Sequence, residues 1–110
     1  MANPVYKILG QSAPASTANA DLFTVASGRH NIVSTLVIAN TTGTAATARV
    51  FARIGGATAA TSNAVMYDVS IAANSTNSFT LGISMNATDI LTVQTGTSNA
   101  LTFTAFGVEI

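Results

Sequence analysis

Large apolar residues alternate with small polar ones along much of the chain. In Ser78–Met85 every second residue is large and apolar, and the residues between them are Ser, Thr and Gly. Because successive side chains of a β-strand point to opposite faces, this pattern predicts a strand with one buried face. The alternating residues that we expect to point inward are Phe79, Leu81, Ile83 and Met85.

The same period recurs between turn-forming Gly, Asn and Ser residues. It predicts about eight strands, with the bounds Val5–Gly10, Asp21–Ala26, Ile32–Asn40, Ala48–Ile54, Val65–Ala72, Ser78–Met85, Ile90–Gln94 and Ala100–Ile110. In Val65–Ala72 we expect one face to carry Val65, Tyr67, Val69 and Ile71. Helices are disfavoured because Thr, Val, Ile, Asn and Gly dominate the chain. Short, evenly spaced strands predict an all-β fold, an antiparallel β-sandwich of jelly-roll-like form.

The length of 110 residues fits a single domain, here residues 1–110, with one core. Residues 1–20 contain the first strand and the small, polar segment Gln11–Ala20. That segment is either a long loop within the domain or an N-terminal arm that lets the first strand reach a neighbouring subunit.

Charged residues make up only 7% of the chain, and the formal net charge is zero. Ordinary soluble domains are about 25% charged, and charge is what keeps copies of a protein apart. We therefore expect much of the surface to be covered by other proteins. Four basic residues are too few for a nucleic-acid partner. No apolar stretch approaches the about 20 residues of a membrane span, and the start of the chain lacks a secretory signal pattern.

Catalytic and metal-binding chemistry has little support in the sequence. His30 is the single histidine and lies in a predicted turn, and there is no cysteine. The carboxylates are far apart in the sequence, and we expect them to cap turns or to pair with arginine: Asp21, Asp68, Asp89 and Glu109. We expect no enzymatic activity, no cofactor and no metal.

Two groups of residues are candidates for a protein interface. Arg49, Phe51 and Arg53 alternate along one strand and so share a face. They form either a contact patch, since arginine and aromatic residues are enriched in interfaces, or an outer face on which the arginine stems cover the ring. The second group is the apolar end of the last strand, at Phe106, Val108 and Ile110.

Several segments resemble small structural proteins of tailed bacteriophages, especially phages of aquatic bacteria. The resemblance runs nearly end to end, and its clearest segments are Tyr6–Pro14 (YKILGQSAP), Asp21–Val25 (DLFTV), Tyr67–Asn74 (YDVSIAAN), Leu81–Ile83 (LGI) and Phe106–Ile110 (FGVEI). The family member that the chain looks most like is a capsid decoration, or cement, protein. The resemblance implies a β-rich virion component made in the host cytoplasm and placed on the capsid exterior.

The resemblance also implies partners, namely the major capsid protein and further copies of the chain itself. Together with the scarcity of charge it favours a homo-oligomer that stabilises the assembled head shell. Two other functions remain open at this point. One is a glycan-binding module for host recognition on a tail or fibre, and the other is a subunit of a self-assembling filament or tube.

Overall fold

The computed structural model describes residues 4–110, so the first three residues of the predicted domain lie outside it. Eight strands account for most of the described chain, and two single 3-10 turns lie between β4 and β5. The strands are β1 Val5–Ser12, β2 Ala20–Thr24, β3 Asn31–Asn40, β4 Ala46–Arg53, β5 Ala64–Ile71, β6 Thr76–Met85, β7 Ile90–Thr95 and β8 Leu101–Glu109.

The strands form two four-stranded antiparallel sheets, the first in the order β1-β8-β3-β6 and the second in the order β2-β7-β4-β5. The first half of the chain pairs with the second half as in one long hairpin, β1 with β8, β2 with β7, β3 with β6 and β4 with β5. Folding that hairpin into two sheets gives a jelly roll. The predicted all-β sandwich is therefore confirmed.

The core lies between the sheets and is built from the inward-facing residue of each alternating pair. Phe103 at its centre is fully buried, as are Leu36 and Ile38 of the first sheet and Leu91 and Val93 of the second. Phe79, Leu81 and Ile83 pack against this cluster, as the alternation in β6 predicts.

The face predicted for Val65–Ala72 is wrong in the first half of the strand. Val65 and Tyr67 are 39% and 48% exposed, while Met66 between them is buried. The cause is Asp68, whose φ of 54° is left-handed and coincides with a register shift between β4 and β5. The irregularity inverts the alternation, so that only Val69 and Ile71 of the predicted set face the core.

The segment between β1 and β2 stays on its own domain. The amide of Asn99 donates to the carbonyl of Pro14, and the Gln94 side chain donates to the carbonyl of Thr17. Since β1 pairs with β8 of the same chain, the segment connects two strands of one domain in this structure. At the other terminus, Ile110 and His30 exchange two backbone hydrogen bonds beyond the end of β8.

Candidate docking surface

Within residues 4–110, the outer face of the first sheet carries no charged side chain. Strand pairing and alternation place on it Tyr6, Ile8, Gln11, Ile32, Ser34, Thr35, Val37, Ala39, Thr76, Ser78, Thr80, Gly82, Ser84, Thr102, Thr104, Phe106 and Val108. We call this set the uncharged face. Apart from one amide and one glycine, its members are hydroxyl-bearing or apolar.

The exposed apolar members of that face lie on the neighbouring strands β1 and β8. Tyr6 is 83% exposed, Ile8 59% and Phe106 37%, and Val108 lies opposite Tyr6 across the ladder. These four residues are here called the apolar patch, and together with Lys7, Ser34 and Gly107 they line a shallow groove of about 370 Å³. Exposed apolar residues that adjoin one another mark interaction surfaces, whereas single ones are ordinary.

The charged residues lie elsewhere. Lys7 sits between Tyr6 and Ile8 in the sequence, yet strand alternation turns it to the opposite side of the sheet. There its ammonium group pairs with Glu109 at 3.2 Å. Arg29 and Asp89 are in loops between strands, and the four remaining charged residues, Asp21, Arg49, Arg53 and Asp68, belong to the second sheet. The two outer faces of the sandwich therefore differ in character.

The outer face of the second sheet is organised around Arg49. Its guanidinium group donates two hydrogen bonds to the Asp68 carboxylate, at 2.6 and 3.1 Å, and lies 4.0 Å from the centre of the Tyr67 ring. The hydrogen bonds from Arg49 hold the pKa of Asp68 below its usual value, and they raise the pKa of Arg49. A polar hollow of about 230 Å³ adjoins the pair and is also lined by Gln94 and Thr17.

Arg53 is used within the domain. It donates to the Asp21 carboxylate and to the Thr92 hydroxyl, each at 3.1 Å, and to the carbonyls of Gly56 and Ala57 in the loop after β4. This arrangement fixes the loop against the sheet.

Phe51 is 4% exposed and lies at the base of a second hollow, of about 320 Å³, with Arg49, Tyr67, Ala59 and Ala60. Arg49, Phe51 and Arg53 do share the outer face of the second sheet, but Phe51 is covered within the monomer. Phe106 and Val108 belong to the opposite side of the sandwich. The candidate interface residues of the sequence therefore do not form one surface.

Two residues of the apolar patch were not predicted from the sequence, namely Tyr6 and Ile8. Tyr6 and Ile8 alternate with Val5 and Lys7, so the sequence indicates that the two residues share one face of the strand. Which side of the sandwich that face is on depends on the pairing of β1 with β8. Ile110, predicted with Phe106 and Val108, is partly buried and is held by its backbone contact with His30.

His30 and Asp89, predicted to lie in turns, are in loops between strands. His30 is exposed, with Nδ1 3.1 Å from the Asn86 side-chain oxygen. Asp89 accepts hydrogen bonds from the amides of Gly55 and Asn86. Residues 4–110 contain no cluster of His, Cys, Asp and Glu that could hold a metal ion. A helix long and apolar enough to cross a membrane is likewise not found in this part of the chain.

Comparison with known proteins assigns no family. No protein-family model and no curated protein matches the sequence. Among solved structures, the chain is similar to one from the structure of infectious bursal disease virus, Gx strain, with 16% sequence identity and a TM-score of 0.48. The match covers 94% of this chain but 32% of that chain, so the protein spans about a third of its length. An alignment this loose carries no functional argument.

Proposed function

We propose that the chain is a bacteriophage virion structural protein that decorates the capsid. In this proposal it binds the assembled head shell as a homo-oligomer, through the uncharged face, and stabilises the shell. The observation that carries the proposal is the segregation of charge: one whole side of the jelly roll presents hydroxyl and apolar groups, while every charged side chain of residues 4–110 is directed elsewhere.

A neutral face suits a permanent contact because burying it leaves no charge without a partner. Removing an unpaired charge from water costs several kcal/mol, whereas a hydroxyl group both donates and accepts and is therefore satisfied by many partners. The apolar patch, at the β1 edge of the face, supplies the water-excluded part of the contact, and the hydroxyl-bearing residues beside it supply the polar part. Tyr6 and Phe106 are the large side chains of that patch, and aromatic residues are typical energetic centres of interfaces.

The stabilisation would arise by mass action. A protein that binds the assembled shell and not its separated subunits adds its binding free energy at each site, about 2.7 kcal/mol when its free concentration is 100 times the dissociation constant. Many copies per particle make the effect on the whole shell large even where each contact is weak.

The test is co-sedimentation of the purified protein with shells assembled from the major capsid protein encoded in the same genome. The variant Ile8→Lys places a charge in the apolar patch at a 59% exposed position. The matched control is Val65→Lys, a β-branched residue on an edge strand of the second sheet that is 39% exposed. We expect the wild type and Val65→Lys to sediment with the shells, and Ile8→Lys to remain in the supernatant.

Equal binding by all three proteins would show that the shell is not bound through the uncharged face. Absence of binding by the wild type would remove the proposed function. Circular dichroism and thermal denaturation of each variant check that the fold is retained.

A second candidate function is favoured by the other side of the sandwich. The hollow beside Arg49 and Asp68 is lined by Gln94 and hydroxyl-bearing residues. Amide and hydroxyl side chains both donate and accept hydrogen bonds, as the binding of a sugar's hydroxyl groups requires. We propose a glycan-binding module as the alternative. A glycan-array screen tests it, with Gln94→Ala as the variant that loses binding if this hollow is the site.

A further inference from the structure

The two sheets of the jelly roll end in four edge strands, β1, β2, β5 and β6. An edge strand has unpaired backbone groups to which a strand of another chain can add, and natural proteins block such addition with charged residues, proline or bulges. Each of the four edges has a register shift that interrupts its ladder. The edges therefore differ mainly in charge.

Three of the four edges carry a charged residue, namely Lys7 in β1, Asp21 in β2 and Asp68 in β5. The fourth edge, β6, is ten residues long and contains neither a charge nor a proline. Its register shift falls between Thr80 and Ile83, so the segment Thr76–Thr80 is a regular stretch that pairs with β3 on one side only.

We propose that β6 is a strand-addition site whose occupant is the β6 strand of a second copy of this chain. Two Thr76–Thr80 segments would pair antiparallel about a two-fold axis at Ser78, and the two first sheets would join into one continuous sheet. Every cross-strand pair in this register is neutral, since Ser78 faces Ser78, Asn77 faces Phe79 and Thr76 faces Thr80. Such pairing adds backbone hydrogen bonds without opposing like charges.

The size of the uncharged face favours the same arrangement. Four strands spaced about 4.8 Å apart and about 30 Å long give a footprint of roughly 570 Å². A standard stable interface takes about 800 Å² from each partner. Two copies joined at β6 present roughly 1,100 Å² of uncharged surface on one side. The argument from the area of the uncharged face rests on the proposed docking function, whereas the pairing of β6 with β6 does not.

The absence of cysteine from the chain allows a direct test. In the variant Ser78→Cys the two introduced thiols would face each other across the axis, at a Cβ–Cβ distance of about 4.5–5.5 Å, which small movements bring to disulfide geometry. The matched control is Ser84→Cys, which has the same residue type on the same strand and face, beyond the register shift. Both variants are oxidised and run on a non-reducing gel without any shell present.

We expect Ser78→Cys to form a covalent dimer of twice the 11.1 kDa monomer mass, and Ser84→Cys to stay largely monomeric. We also expect the wild type to sediment as a dimer at equilibrium, and Ser78→Lys to lose that species while Ser84→Lys keeps it. Equal cross-linking of the two cysteine variants, or a wild type that stays monomeric at high concentration, would overturn the proposal.

The two proposals fail separately. A dimer that depends on Ser78 but does not bind shells leaves the β6 pairing intact and removes the docking function. A monomer that binds shells through Ile8 removes the β6 pairing and the homo-oligomer, and leaves docking through the uncharged face.

Discussion

Gly107 in β8 is the position at which the fold tolerates a side chain least. It lies in a central strand between Phe106 and Val108, and it pairs with Val33 of β3 next to the register shift at Ser34. A Cβ at residue 107 would fall directly on the carbonyl oxygen of Ile32 and 2.8 Å from the amide nitrogen of Ser34. Both are backbone atoms, so no side-chain rotation relieves the contact.

The substitution Gly107→Ala must therefore separate β8 from β3. Overpacking a core costs about 1–3 kcal/mol, and each lost ladder hydrogen bond costs about 1 kcal/mol more. We expect the free energy of unfolding to fall by about 3 kcal/mol. For a domain of this size each kcal/mol lowers Tm by about 4 °C, so Tm should fall by about 12 °C.

The assay is urea denaturation followed by circular dichroism, with a thermal scan as the second measurement. Gly43→Ala is the matched control, because a Cβ there meets no atom within 4 Å and the backbone φ is not left-handed. We expect that variant to stay within about 0.5 kcal/mol of the wild type. If Gly107→Ala were as stable as Gly43→Ala, the close approach of the β8 backbone to the β3 backbone at residue 107 would be refuted. The placement of Phe106 and Val108 on the uncharged face would then be refuted as well.

Three further predictions concern the core, a buried amide and an ion pair. Phe103→Ala removes the fully buried ring at the centre of the sandwich, and urea denaturation should show a loss of about 3–5 kcal/mol. Asn40→Ala removes a buried side chain that donates to the carbonyls of Thr44 and Ile71, and we expect a loss of about 2–3 kcal/mol by the same assay. For the Arg49–Asp68 pair, the pKa of Asp68 is lower in the folded than in the unfolded chain, so its stabilisation is complete above the unfolded pKa and disappears as the pH falls through the folded one. Stability curves of the wild type and Asp68→Asn should therefore converge in acid, and a gap that persists at low pH would contradict the assignment.

The strands themselves could be predicted from the sequence because each has its own alternation and its own flanking turn residues. Predicted and observed bounds agree to within two residues at every strand end, as for Ile32–Asn40 against Asn31–Asn40. Val65–Ala72 shows the limit of the method. Its pattern looks regular, yet the left-handed backbone at Asp68 reverses which residues point inward. Asp adopts this conformation more often than most residues, but a single Asp does not predict it within a strand.

The docking surface could be predicted only in part. Phe106 and Val108 follow from the apolar end of β8, but the neutrality of a whole face becomes visible only when four strands from both ends of the chain are placed side by side. The burial of Phe51 could not be predicted either, since the loop residues that line a hollow with it, such as Ala59 and Ala60, carry no sequence signal for a position near β4.

The central claim is that the uncharged face binds and stabilises an assembled shell. Its most direct test is the temperature at which shells stripped of this protein rupture, measured before and after the purified protein is added back. We expect the wild type to raise the rupture temperature in proportion to occupancy, and Ile8→Lys to leave it unchanged. A rupture temperature that does not respond to saturating wild-type protein would contradict the account.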